Sequence, residues 1–201
     1  MKKFAIYCSG NATIPLLMYS KELFNNHCKP TAIIYDGNSK LILKQLSEYC
    51  KLTLHSSKTS KSISDLIYRI LKQNNIEFLF CFGSKILNGN LLIEYKNKLI
   101  NFHPSLLPSF KGKNAIDQAL KENCLILGNS AHYMIEEIDS GKLICQTAMS
   151  INNYKDYISL IELQLPMFLK ILSELLNYKI KNTKIKNSIK NKNYIIGYYE
   201  K

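Results

Sequence analysis

The strongest constraint on this chain is an alternation in its first hundred residues: short apolar runs separated by longer amphipathic segments. The runs Phe4–Cys8, Thr31–Tyr35, Leu52–His55, Glu77–Phe82 and Lys98–Phe102 are predicted as strands. Between them, helices are predicted around Leu16, Leu17, Tyr19, Leu23 and Phe24, over Leu41–Tyr49 and over Ser60–Gln73. In the last of these Ile63, Leu66, Ile67, Ile70 and Leu71 recur at helical spacing, and a shorter helical segment holds Leu91 and Leu92. Strands alternating with helices specify an α/β chain: a doubly wound, mostly parallel sheet with helices on both faces. Such sheets bind ligands beyond the carboxyl ends of their strands. That rule gathers Ser9–Thr13, Gly83–Leu87 and Asn101–Leu107 around one cleft.

The second half changes character. A helix is predicted over Ala115–Lys121, after the Lys111-Gly112 turn, and two strands, Gly128–Glu136 and Lys142–Ser150, flank Asp139-Ser140-Gly141. Tyr157–Tyr178 carries a helical apolar stripe in which Pro166 marks a kink or a helix start. The 201 residues suit one domain, 1–178, followed by a basic tail or short terminal arm, 179–201, in which 194–199 can form a strand. The net charge of +12 is spread along a Lys- and Asn-rich chain and concentrates only in the tail, at Lys179, Lys181, Lys184, Lys186, Lys190 and Lys192. No Arg-rich, aromatic-interleaved patch accompanies it, so nucleic acid is not the expected partner. The basic surface would steer anionic small molecules instead.

Six single cysteines without a C-x-x-C pair suggest neither a zinc site nor a disulfide framework, and fit a reducing cytoplasm. Cys8, Cys81 and Cys145 lie in apolar runs and are expected to be buried. Lys2-Lys3 precede an apolar run that stops at Ser9-Gly10-Asn11, too short for a secretory segment, so a first strand is expected. With no apolar run of about 18 residues, no membrane span is expected.

Two segments carry chemistry. In Asn101-Phe102-His103-Pro104-Ser105-Leu106-Leu107-Pro108 an amide and an imidazole stand two residues apart, on the same side of an extended segment. They would converge as donors toward a developing oxyanion. Asp139, in Glu137-Ile138-Asp139-Ser140-Gly141, could hold that imidazole, favour its charged form and relay a proton through water. An Asp-Ser-Gly can equally be a simple turn and a single His a satisfied surface or core residue, so spacing alone leaves both readings open.

The Asn-x-His-Pro-Ser-Leu-Leu-Pro run, followed by an Asp-x-Gly loop about three dozen residues later, resembles the folate-dependent formyltransferases, above all the branch that formylates glycinamide ribonucleotide. The landmarks are Gly83, Asn101, His103 to Pro108, Gly112, Gln118-Ala119-Leu120, Gly128, His132 and Asp139, within Phe80 to Gln146. The resemblance implies a Rossmann-like formyltransferase fold and 10-formyltetrahydrofolate as formyl donor, with no metal. It implies Asn101, His103 and Asp139 as the catalytic trio. The pteridine would lie on Lys85, Ile86, Leu87 and Leu92 on one side and on Ile135, Glu136, Glu137, Ile138 and Asp139 on the other. The acceptor, a phosphorylated or nucleotide-linked amine, would meet Gly10, Asn11, Ala12, Thr13 and Pro104. Ser105 is read as a loop brace rather than a nucleophile, His132 as structural, and a homodimer is left open.

Two departures fall on the acceptor side. Where the purine-pathway enzymes carry Gly-Ser-Asn around the substrate phosphate, this chain has Ala12, Thr13 and Ile14. Where they carry Gln-Glu-His in the late helix, it has Gln164, Leu165 and Pro166, with Glu162 out of register. The alternative acceptor is therefore a nucleotide-linked amino sugar. A hydrolase passing the formyl group to water, a basic binding module without catalysis and a transfer-RNA formylating enzyme are the remaining readings. The first and last usually bring a further domain, and the second would be expected to lose one of the trio.

Overall fold

A computed structural model of the chain describes residues 2–20, 29–56, 59–177 and 194–198. The first half runs β1 (Phe4–Cys8), α1 (Thr13–Ser20), β2 (Ala32–Tyr35), α2 (Lys40–Tyr49), β3 (Thr53–His55), α3 (Ser60–Gln73), β4 (Phe78–Phe82), α4 (Asn90–Glu94) and β5 (Leu99–His103). The second half runs α5 (Ala115–Lys121), β6 (Ile126–Tyr133), β7 (Leu143–Ser150), α6 (Tyr157–Ile161), α7 (Gln164–Leu176) and β8 (Tyr194–Tyr198), with a single 3-10 turn at Ile151–Asn153. Among the described residues one sheet holds the eight strands in the order β3-β2-β1-β4-β5-β6-β7-β8. The first five strands are parallel, and β6, β7 and β8 are added antiparallel. The expected doubly wound, mostly parallel sheet is the observed one.

The strands sort their side chains by parity, as a pleated sheet must. Phe4, Ile6, Cys8, Ile33, Tyr35, Phe80, Ile100 and Phe102 enter one core with Ile14 and Met18 of α1, Leu46 of α2 and Phe168 and Leu172 of α7. Ala5, Tyr7, Ala32, Ile34, Leu79, Cys81 and Leu99 enter the other with Ile63, Ile67 and Leu71 of α3 and Leu91 of α4. Strands buried on both faces need apolar residues at every position, which is why they appear in the sequence as unbroken runs. Phe168 makes edge-to-face contacts with Phe4, Phe80, Phe82 and Phe102, and Phe82 stacks on Phe102 at 4.4 Å between centroids. That aromatic cluster anchors α7 beneath the carboxyl ends of β4 and β5.

One expectation needs correction. The predicted strand to Glu136 ends at Tyr133, because the chain there turns out into the Asp139 loop. Gly141 closes that loop so tightly that a Cβ on it would meet the Tyr133 carbonyl. The late apolar stripe is shared by two helices, α6 and α7, and Pro166 lies at the start of the second, one of the two readings its position offered. Pro166 has no N–H to give the Glu162 carbonyl, which instead accepts from Leu165 at 3.1 Å, so the proline sits in the first turn of α7 where a missing donor costs nothing. The first helix is described to Ser20, and Leu23 and Phe24, expected in it, lie outside the described residues, as do the tail lysines. The strand expected over 194–199 is present as β8, paired to β7. No helix among the described residues is long and apolar enough to cross a membrane.

Candidate active site

Register sets the site. Asn101 of β5 lies opposite Cys81 of β4 and His132 of β6, and His103 lies opposite Ser130. Directly paired residues share a face, so Asn101, His103, His132 and Ser130 crowd one side of the sheet near the end of β5. The loop after β6 brings Asp139 back over them. Asp139 Oδ1 is 3.3 Å from both Asn101 Nδ2 and His132 Nε2, and Oδ2 is 3.3 Å from His103 Nδ1. The Gly112 amide donates to Oδ2 at 2.8 Å. Asn101 and His103, expected to act together with Asp139, are thus each within hydrogen-bond reach of its carboxylate. The carboxylate faces the amide nitrogen of Asn101, because only that end of the amide can donate to it.

The tautomers follow from backbone carbonyls, which only accept. His103 Nε2 lies 2.8 Å from the Phe110 carbonyl and must carry its proton there. Nδ1, the other ring nitrogen, faces Asp139. His103 can donate from Nδ1 to that carboxylate only when both ring nitrogens carry a proton. His132 Nδ1 similarly donates to the Tyr133 carbonyl at 3.0 Å, turning Nε2 toward Asn101 and Asp139. Burial opposes ionisation of Asp139. The hydrogen bonds from His132 and the Gly112 amide, with the neighbouring charges of His103 and His132, outweigh it and hold the carboxyl below the ordinary aspartate range.

The loop after β5 is braced from behind. Ser130 Oγ donates to the Ser105 carbonyl and accepts from the Leu107 amide and from Gln146, which also donates to the Leu107 carbonyl. Ser105 donates to the Ser109 carbonyl at 2.7 Å and is buried, in keeping with a brace. The Leu107–Pro108 peptide is cis. Lys111 bonds Ser140 at 2.6 Å, tying this loop to the one bearing Asp139. Cys8, Cys81 and Cys145 are buried as expected, and burial pushes their thiols up, that of Cys145 to about 11, so none is poised as a nucleophile.

The flanking loops hold the other expected residues. On the β4 loop Lys85 pairs with Asp36 at 3.4 Å, Ile86 is half exposed and Leu87 is buried, so Leu87 can meet a ligand only through its backbone. Leu92 is partly buried against the core on that face of the sheet. Ile135, Glu136, Glu137 and Ile138 are exposed on the Asp139 loop. On the β1 loop Gly10 and Asn11 are exposed, Ala12 is buried, and Thr13 and Pro104 are half-buried. Gly10 and Ala12 both have left-handed backbones, at φ +55° and +46°. Ile14 at 1% exposure and Leu165 at 4% belong to the core, and Gln164 is buried donating to Asn129, so these three face away from solvent. Sequence reasoning assigned no role to the Phe110 carbonyl, the Gly112 amide or the Ser130–Gln146 pair. Gly112, a left-handed glycine at φ +81° after a lysine turn, was the one visible trace of them.

Residues 40–164 match the family described as formyl transferase. The phosphoribosylglycinamide formyltransferase of Bacillus subtilis is 27% identical over 160 residues, 77% of this chain and 82% of the relative. The human trifunctional purine biosynthetic protein adenosine-3 is 37% identical over 83 residues, 41% of this chain but only 8% of that longer protein. The crystal structure of phosphoribosylglycinamide formyltransferase from Anaplasma phagocytophilum has the same fold, with a TM-score of 0.75 at 23% identity over 88% of this chain and 87% of that one.

Proposed function

The chain belongs to the formyl transferase family, and from that premise we propose that it transfers the formyl group of 10-formyltetrahydrofolate to the amine of phosphoribosylglycinamide. The carrying observation is the convergence of Asn101 Nδ2, His103 Nδ1 and the Gly112 amide on the Asp139 carboxylate. Groups that gather around a carboxylate also suit the oxyanion of a tetrahedral intermediate beside it. The acceptor nitrogen attacks the formyl carbon, and the carbonyl oxygen takes the charge under Asn101 and the His103 imidazolium. The bond to the folate nitrogen then breaks. The proton lost by the attacking amine passes, with Asp139 as relay, to that departing nitrogen, a poor leaving group until protonated.

The residues present fit both substrates. Ile86, Ile135 and Ile138, each nearly half exposed, offer apolar surface on the two loops beside the trio for a flat heteroaromatic ring. Gly10 and Asn11 place backbone at the start of α1, where an acceptor phosphate is favoured. Ile14 lies in the core, so phosphate recognition rests on backbone amides and Thr13.

The test is an acceptor screen with 10-formyltetrahydrofolate, following the folate product by absorbance. Turnover with phosphoribosylglycinamide is expected. Turnover only with a nucleotide-linked amino sugar would overturn the acceptor, and folate consumption without any acceptor would replace transfer by hydrolysis.

A further inference from the structure

We propose that the adjacent residues Tyr35 and Asp36, at the carboxyl end of β2, are positioning residues that separately hold the acceptor loop and the donor loop. The inference rests on the formyl-transfer reading and concerns residues outside the trio. Successive residues of a strand point to opposite faces. Tyr35 is fully buried in the core shared with α1, while Asp36 meets Tyr7, whose ring packs in the core on the other face. One dipeptide therefore reaches two loops by opposite sides of the sheet.

On one side Tyr35 Oη donates to the Gly10 carbonyl at 2.8 Å and accepts from the Ser39 amide at 3.4 Å. A trans peptide points its carbonyl and its N–H in opposite directions. Pinning the Gly10 carbonyl inward thus turns the Asn11 N–H away from Tyr35, toward the exposed side of the loop. The loop needs such a hold, because Gly10 and Ala12 are both left-handed and an alanine there is strained. The Ala12 amide bonds the Ser9 carbonyl at 3.0 Å, closing the turn that Tyr35 orients.

On the other side Asp36 Oδ2 accepts from Tyr7 Oη at 2.6 Å and lies 3.4 Å from Lys85 Nζ. Its side chain is 2% exposed, and that of Lys85 27%. A buried carboxylate seldom stands without a cation, and here the cation is the first residue of the segment 85–87 that faces the donor. Gly83 permits the arrangement, since a Cβ there would strike the Tyr7 ring. Ser9 and Ser84 join the roots of the two loops at 2.8 Å and are untouched by either substitution below.

The experiment is a pair of isosteric substitutions, Tyr35→Phe and Asp36→Asn, with KM measured for each substrate at saturation of the other. Loss of one hydrogen bond or ion pair should raise the affected KM roughly three- to tenfold. Tyr35→Phe is expected to raise the KM for phosphoribosylglycinamide and leave that for 10-formyltetrahydrofolate in place; Asp36→Asn is expected to do the reverse. A purely structural role would move both constants and kcat together, and that result, or no change in either constant, overturns the proposal. Should Asp36→Asn fail to fold, Tyr7→Phe removes the 2.6 Å hydrogen bond that fixes the Asp36 carboxylate, at a buried residue outside the donor surface, and carries the same expectation. Calorimetric titration of each substrate reads the same split without turnover. A wild type that binds both but transfers nothing would sink the formyl-transfer reading, and the binding split would still decide this one.

Discussion

Asp139 holds a left-handed backbone, φ +50°, in which an L-residue loses about 1 kcal/mol. Asn101, His103, His132 and the Gly112 amide hold its carboxylate there. Asp139→Asn keeps the shape and removes the negative charge that lies 3.3 Å from His103 Nδ1. It should leave the fold intact and lower kcat by roughly 10²–10⁴, the range of general acid–base catalysis, and a variant turning over like wild type would remove Asp139 from the mechanism. The same substitution has a thermodynamic signature. Because the folded carboxyl is held below its ordinary range, the unfolded chain takes up the proton first as pH falls. The stability this group contributes is whole above about pH 4 and is lost as pH drops through the lower folded value. Asp139→Asn should therefore lose less melting temperature than wild type on acidification from about pH 5 to pH 3. A parallel fall in both would contradict the coupling. Gly141→Ala acts on the same loop by sterics: its Cβ would sit on the Tyr133 carbonyl, so melting temperature and kcat should fall together at every pH, whereas the melting-temperature deficit of Asp139→Asn should shrink on acidification.

Among the elements, α7 depends most on one side chain. Phe168 is fully buried and touches the rings of three strands, so Phe168→Ala should cost about 3–5 kcal/mol in urea unfolding, and a loss under about 1 kcal/mol would mean the aromatic cluster is not what seats α7. The parallel strands were legible because double-sided burial leaves an unbroken apolar signature; Asn101, His103 and Asp139 stood out through the resemblance of the two segments that carry them to a known family, since their spacing alone left a turn and a satisfied histidine open. Other features left no such mark. The apolar stripe runs through the break between α6 and α7, and only Pro166 hinted at it. The Phe110 carbonyl and Gly112 amide are backbone groups that any residue would supply. The Ser130–Gln146 brace exists only once the antiparallel register of β6 and β7 is known, and an alternating pattern gives parity but not register. Tyr35 read as one more apolar position in a strand, and its hydroxyl gained meaning when the sheet set it against Gly10.

At the scale of the whole molecule the dominant quantity is charge. A net +12 on 201 residues creates a positive field, and both proposed substrates are anionic. The trio contributes little to that field, since Asp139 brings a single negative charge against a net +12. Charge should therefore act on encounter rather than on the chemical step. Raising salt from about 0.02 M to 0.5 M shortens the screening length from roughly 20 Å to about 4 Å, which removes attraction between substrate and distant lysines but not contact within the site. The expected result is a several-fold fall in kcat/KM for phosphoribosylglycinamide with kcat unchanged. Six of the lysines lie in the segment 179–192, so replacing them with glutamine takes the net charge from +12 to +6. If the field of the whole chain steers the substrate, that variant should show a shallower salt dependence and an unaltered high-salt limit. If kcat itself falls with salt in both proteins, the charge acts inside the site, and the lysines serve in binding or chemistry rather than in approach.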